Sequence, residues 1–448
     1  MVDWSLNAND CSKFSFRKGK TNKTKLTNDN IDEVINTFIK QSQNTYFRLS
    51  DREIKAEEKE PIALFDYIQN QWIAGRYVGV MNFPYKKNTI EAKITPRFGD
   101  KQLCRMLEEI YNVKILKQEG ASQSKEDVWI KKLISIIWLR QLATANRFGL
   151  PRTSKRRVHK GLVIKGRINI RDSIKPLLHN KNVVSEYYTK NFDETILQIL
   201  SQAYRILSKS FLLNRIPNSA LDAINHIGSA NITKRRITEA EYKRIKYKSI
   251  YVSYKNVVDL SWRIINKKSA FMDSGTGSKE SFGLFIDMAE VWELYLSKLL
   301  AKKLPNWKVL TQEQNDVYAD KFFKRSIRPD IILQNGDKIV VLDAKWKRMQ
   351  FEYRDFDRSD FFQINTYISY YKNLNYNVVA GGLLYPFEKQ IDKSECCSNS
   401  WMNDSTTKFI IDGIQMPQVT EKEENINSKE YDIWNEEFID RIRDIVNP

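Results

Sequence analysis

"IRPDIILQNGDKIVVLDAKWK", residues 327–347, decides how the last third of the chain is read. It has the Ile, Val and Leu content of a buried β-hairpin, yet it carries Asp330, Asp343 and Lys345. An unpaired charge in a core is costly, so these side chains either face water or neutralise one another. Asn335-Gly336 between the two apolar runs predicts a type I′ turn centred on those two residues. In that register Leu333 faces Lys338 and Asp330 faces Val341. Alternation then puts Asp330, Val341, Asp343 and Lys345 on one face. Asp330 and Asp343 become diagonal neighbours, roughly 7–8 Å apart. Two carboxylates, completed by waters and phosphate oxygens, make the hard oxygen shell that Mg²⁺ prefers. A lysine beside them suits orienting a water or offsetting charge on a phosphate. The competing reading is a solvated hairpin edge whose charges pair across the strands.

The rest of the chain narrows the choice. Its 448 residues predict two or three domains. Lys and Arg total 73 against 55 acids, a formal charge of +18, which favours a polyanionic partner: nucleic acid or an acidic membrane. The apolar run 133–139 is too short to span a bilayer, and the first residues show no signal-peptide core. Four cysteines without CxxC spacing and three histidines argue against a zinc site or a disulfide framework, and fit a reducing cytoplasm. The membrane reading falls and nucleic acid remains. No phosphate-binding loop is visible, since "GKT" at 19–21 lacks its upstream Gly and "GTGSKES" at 275–281 has the wrong spacing. Three histidines in uninformative contexts give no support for a Ser-His-Asp triad.

Along the chain, "WIAGRYVGVMNFPYKKNTIEAKITPRFG" from Trp72 alternates between turn residues and predicts β-hairpins. Residues 147–181 hold eleven Lys or Arg against one acid, Asp172. That run is either a solvated loop or a phosphate-contacting surface, and Arg152, Lys155, Arg156, Arg157, Lys160, Lys165 and Arg167 are its candidate DNA-binding residues. "FGLFIDMAEVWELYLSKLLAKKL", 282–304, predicts one long amphipathic helix bearing Asp287, Glu290 and Glu293. Past the hairpin, "RSDFFQINTYISYYKNL" predicts a helix with Gln363 and Tyr367 one turn apart, and "YNVVAGGLLYPF" an apolar strand.

Helix with an acid, Pro329-Asp330, Asp343-Ala344-Lys345 and a Gln-x-x-x-Tyr helix together resemble the PD-(D/E)xK nuclease core over residues 282–386. With "GLVIKGRINIRDSI", "SDFFQINTY" and "GGLLYP", the chain is similar more specifically to the McrC family, the nuclease subunits of McrBC-type restriction systems. The resemblance implies an α/β, multi-domain chain. Residues 1–120 would be a partner-docking domain, β-rich from about 70; 121–275 a basic, mainly helical middle region; and 276–448 the endonuclease domain, a mixed sheet flanked by helices. It implies Mg²⁺-dependent cleavage of double-stranded DNA, switched on by a McrB-like AAA+ GTPase hexamer. Asp330, Asp343, the Ala344 carbonyl and Glu293 would hold the metal, with Glu290 as the alternative acid. Lys345 would be the catalytic lysine, Gln363 would join it, and Tyr367 would support the helix motif. Two other readings stand beside it: an autonomous nuclease of the same core acting in repair or on RNA, and a non-catalytic DNA-binding adaptor.

Overall fold

The apolar run 282–304 is two elements, not the single helix that its amphipathicity predicts. Phe282–Asp287 is a strand, and a helix follows over Met288–Lys303. Asp287 makes the break: its side chain accepts the Ala289 amide at 2.9 Å, which is the N-cap bond that starts a helix, and it pairs with Arg76 at 2.9 Å. The short Phe-Gly-Leu-Phe-Ile segment ahead of that cap is taken by a neighbouring sheet.

The computed structural model describes residues 3–18, 30–43, 45–47, 49, 60–117, 128–208, 211–229, 235–266, 282–318, 322, 325–347, 349, 357–388, 397–416 and 428–446. It divides into one unit made of Met1–Ile110 with Gly275–Pro448, and a second made of Tyr111–Ser274.

The first unit holds two six-stranded sheets. The N-terminal one runs in the order Ser15–Lys18, Trp4–Asn9, Asn88–Thr95, Tyr77–Tyr85, Phe282–Asp287, Tyr46–Phe47. Trp4–Asn9 lies parallel to Asn88–Thr95, while Phe282–Asp287 pairs antiparallel with Tyr77–Tyr85. The helix Ile31–Ser42 lays Phe38 against Phe83 and Phe285, so the core of this sheet joins the first hundred residues to a segment about 190 residues further on.

The second sheet runs Lys308–Thr311, Ile331–Asn335, Lys338–Ala344, Asn377–Phe387, Asp404–Gln415, Cys397–Trp401. Its three central strands are parallel and its outer pairings antiparallel, which makes it a mixed sheet. The helix Arg358–Asn373 is the crossover between the first two parallel strands, as parallel pairing requires. Its Ile364, Tyr367, Ile368 and Tyr371 pack on Ile332, Ile339 and Val341. Gly381 allows that approach, because a Cβ there would meet Ile368 Cγ1 at 2.4 Å.

The hairpin forms where the sequence predicts it, in a different register. Asn335 pairs with Lys338 and Ile331 with Leu342, so Gly336 and Asp337 are the turn residues. Gly336 carries φ +63°, which matches the II′ preference for Gly at the first central position. The shift moves each pairing by two residues and preserves parity, so the face assignment survives. Asp330 now stands directly across from Asp343 instead of diagonal to it.

In the second unit the first part of the basic run forms strands and its last part a helix. Arg152–Gly161 and Arg167–Ile168 flank Val183–Phe192 in a three-stranded antiparallel sheet, with the helix Ile170–Asn180 beside it. Ten consecutive pairings with Val183–Phe192 hold the first strand, a partner that its own aperiodic sequence does not announce. The remainder is mainly helical, with Val128–Ala145, Glu194–Leu207, Asn218–Ser229 and Tyr254–Asn266 around buried Trp138 and Tyr254, beside a two-stranded sheet of Lys114–Lys117 and Phe211–Arg215. Among the described residues no helix is long and apolar enough to cross a membrane.

Candidate active site

Parity on the hairpin and the helix packed over it bring four of the predicted residues together. The Ala344 amide donates to Asp330 Oδ2 at 2.8 Å, tying the two strands where the ladder ends. Lys345 Nζ lies 2.5 Å from Asp343 Oδ2 and donates to Gln363 Oε1 at 2.8 Å. Gln363 Nε2 in turn donates to the Tyr367 hydroxyl at 2.8 Å, and that hydroxyl donates to the Arg328 carbonyl at 3.3 Å. Each partner fixes the next, so the lysine has a defined position.

The electrostatics follow from burial. Asp343 is 2% exposed. Desolvation, then the charges of Asp343 and Glu293, push the Asp330 carboxyl well above the usual carboxylate range. Desolvation also raises Asp343, against the pull of Lys345. Burial alone would lower the Lys345 ammonium, but Asp343, Asp360 and Asp330 outweigh it and raise its pKa. Tyr367 is pushed up to about 12 by desolvation and by Asp343, and so stays a hydroxyl. The cluster is a protonated lysine held among carboxylates whose negative charge is crowded.

Those carboxylates fit a hard divalent cation in part. Asp330 and Asp343 are close enough to share a hydrogen bond, and Asp343 Oδ2, paired with Lys345, accepts no well-aligned one. A cation between them would offset the burial and the neighbouring negative charge that raise Asp330, and the burial that raises Asp343. Among the described residues, however, no three of His, Cys, Asp and Glu converge as a metal cage. Glu293 is buried and acts on Asp330 through its charge, while its Oε1 accepts from Gln312 Nε2. Glu290 instead accepts the Leu49 amide at 3.0 Å, in the N-terminal segment.

Three groups at the site are not among the predicted residues. Asp360, 4% exposed, lies 3.3 Å from Lys345 Nζ and 2.6 Å from Lys347 Nζ. Its signal was legible, since it precedes Gln363 by one helical turn on the same helix. Gln312 and Arg328 form the other edge, with Arg328 Nη2 donating to Gln312 Oε1 at 3.3 Å. No local pattern marks those two.

The seven predicted DNA-binding residues are all exposed in the second unit. Lys155 is paired with Glu194 at 2.7 Å and Arg156 with Glu186. Arg152 stacks over Phe192 and Lys165 over Tyr187. Leu162, Val163 and Ile164 are exposed among them.

Comparison with known proteins decides the family. A family model, the McrBC 5-methylcytosine restriction system component, matches residues 73–386. The chain belongs to this McrBC family. The resemblance to McrBC-type restriction systems read from the sequence is thus borne out. Among solved structures, a chain in the refined half-complex from the tetradecameric assembly of Thermococcus gammatolerans McrB AAA+ hexamers with bound McrC is similar at 15% identity. The alignment covers 99% of this chain and 100% of that one with a TM-score of 0.53, a likeness of fold. A chain in the cryo-EM structure of the Thermococcus gammatolerans McrBC complex aligns at 15% identity over 67% of this chain and 88% of that one, with a TM-score of 0.33. No curated protein matches the chain. This McrBC family chain therefore has a mixed α/β architecture and a restriction-system assignment.

Proposed function

We propose that this chain is the McrC-type subunit of its restriction system, a Mg²⁺-dependent DNA endonuclease with a PD-(D/E)xK core. The observation that carries the reading is the linked set Asp330, Asp343, Lys345 and Gln363 on one face of a mixed sheet, in a chain of this family. Asp330 and Asp343 would hold the metal, with the Ala344 carbonyl and Glu293 as further ligands. Bound there, Mg²⁺ supplies a water acidified enough to attack a phosphodiester and charge to offset the phosphorane. Lys345, kept protonated by its carboxylate neighbours, positions that water and faces the developing negative charge. Asp360 and Gln363 hold the ammonium in place. Glu293, whose Oε1 accepts from Gln312, would add a further carboxylate to the metal's shell.

The proposed partners are double-stranded DNA and a McrB-like AAA+ GTPase hexamer. The similar Thermococcus gammatolerans assembly, in which McrB hexamers carry bound McrC, supports the second. The exposed basic sheet and the loop between its first two strands, Lys160, Lys165 and Arg167 above all, are the proposed phosphate-contacting surface.

The test is to purify the chain from its own host with whatever binds it, and to supply plasmid DNA, Mg²⁺ and GTP beside Asp343→Ala. Cleavage by the wild type that needs nucleotide and the partner, and is absent in the variant, is the expected result. An active Asp343→Ala protein refutes the site. Cleavage without partner or nucleotide replaces the motor-driven reading with an autonomous nuclease.

A further inference from the structure

Trp346 follows Lys345 just beyond the end of the sheet ladder, whose last pairing is Ala344 with Leu384. One more backbone bond, from the Lys345 amide to the Leu384 carbonyl at 2.9 Å, holds the lysine to its own sheet. The next two residues also make contacts with the N-terminal sheet. Asp10 and Arg97 leave the same end of two parallel neighbouring strands, where Asn9 pairs with Thr95. They are 0% and 3% exposed. The Arg97 amide donates to Asp10 Oδ1 at 2.6 Å, and Trp346 Nε1 donates to Asp10 Oδ2 at 2.7 Å. The Arg97 guanidinium lies 4.9 Å from the Trp346 ring and 4.8 Å from the Phe98 ring, and Nη2 donates to the Lys347 carbonyl at 3.3 Å. On its other side Trp346 meets Trp292 at 6.0 Å between ring centroids, and Trp292 Nε1 donates to the same Leu384 carbonyl at 3.0 Å.

We propose that Asp10 and Arg97 are positioning residues for the catalytic centre, setting the direction of Lys345 through Trp346 and Lys347. The inference rests on the nuclease reading of that centre and adds to it a contribution from the N-terminal β-rich part. Arg97 buries Nε and Nη1 without hydrogen bonds, which a purely space-filling role would not require. An apolar side chain would fill the volume with less desolvation, but would not face the Trp346 ring as a cation and donate to the Lys347 carbonyl at once. The cluster also reaches the Glu293 helix through Trp292, so one buried group touches the segments carrying Lys345 and Glu293.

The test uses the full chain with its partner. Trp346→Phe keeps an aromatic ring and removes the N–H that Asp10 accepts. Arg97→Lys keeps the charge and removes the planar stack and the bond to Lys347. Each is expected to lower kcat about ten- to a hundredfold at unchanged KM for DNA, the scale of a small misplacement of a reacting group. Hydrogen–deuterium exchange of the peptide spanning 343–347 should speed up while global exchange stays as in the wild type. Unchanged exchange there in both variants overturns the proposal, as does a fall in kcat that merely tracks the unfolded fraction and recovers on cooling. Asp343→Ala in the same assay separates the two layers. If it still cuts, the nuclease reading fails, and the exchange measurement, which needs no cleavage, still decides whether Asp10 and Arg97 order this segment.

Discussion

Replacing Lys345 by Met removes the ammonium from between Asp343 and Asp360 at nearly constant volume. Asp360 keeps Lys347 at 2.6 Å, so the group that suffers is Asp343, 2% exposed. Left ionised it would be an uncompensated buried charge, which costs about 3–5 kcal/mol. The alternative is to take a proton. Protonating a carboxyl with an unfolded-state pKa near 3.9 costs about 4 kcal/mol at pH 7 and about 1.5 kcal/mol at pH 5, at about 1.36 kcal/mol per unit. That is a ceiling, because Asp343 already sits above the ordinary value in the wild type. The sign follows from linkage. Raising the folded pKa further makes the folded state bind more protons than the unfolded one, so the deficit grows as pH rises and closes as it falls. Urea unfolding followed by tryptophan fluorescence should give a loss of up to about 4 kcal/mol at pH 7, shrinking to about 1.5 kcal/mol or less at pH 5. Cleavage should drop about 10²–10³-fold and stay down in acid, where stability returns. A loss that is equal at both pH values, or absent at pH 7, refutes the account of Lys345 as the counter-charge of Asp343.

Three further outcomes test this site and two other parts of the molecule. Because Asp330 and Asp343 hold protons above the usual carboxylate range and metal binding must expel them, Ca²⁺ affinity measured by calorimetry should rise between pH 5 and 8; a flat or falling profile counts against a site on these two groups. Arg441 holds buried Asp412 through Nη2 at 2.9 Å and Nε at 3.1 Å, so Arg441→Met should cost about 3–5 kcal/mol in urea unfolding, and a loss below about 1 kcal/mol would class the pair with surface bridges. Lys160→Glu, Lys165→Glu and Arg167→Glu should each weaken DNA binding and flatten the log–log salt dependence by about one unit in filter binding, whereas Arg156→Glu, already paired with Glu186, should do less; equal salt slopes across the set would move DNA off this sheet.

The sequence made the hairpin face legible because period-two parity is robust. The turn is one residue further on than Asn335-Gly336 suggests, yet a two-residue change of register leaves Asp330, Asp343 and Lys345 on the same side. Gln363 and Tyr367 were legible for the same kind of reason, since one helical turn separates them. Asp287 shows a signal present but outweighed: an N-cap aspartate inside an apolar run marks a boundary, while amphipathicity over 282–304 hides it. The basic strand Arg152–Gly161 has no periodicity, because exposed side chains dominate both its faces, and only pairing with Val183–Phe192 makes it a strand. Asp10, Arg97 and Gln312 lay out of reach in principle. They meet their partners across 336, 250 and 19 residues of chain, through contacts that no local pattern encodes.

Where the strand Phe282–Asp287 sits has a consequence for biosynthesis. It fills the slot between Tyr77–Tyr85 and Tyr46–Phe47, so the N-terminal sheet cannot close until that segment leaves the ribosome. At about 5–20 residues per second the wait from residue 85 to residue 282 is on the order of 10–40 s. Throughout it the Tyr77–Tyr85 strand presents an unpaired edge, the form in which nascent chains associate wrongly. A chain that stops before residue 282 therefore lacks both the strand that completes this sheet and the hairpin that carries Asp330, Asp343 and Lys345.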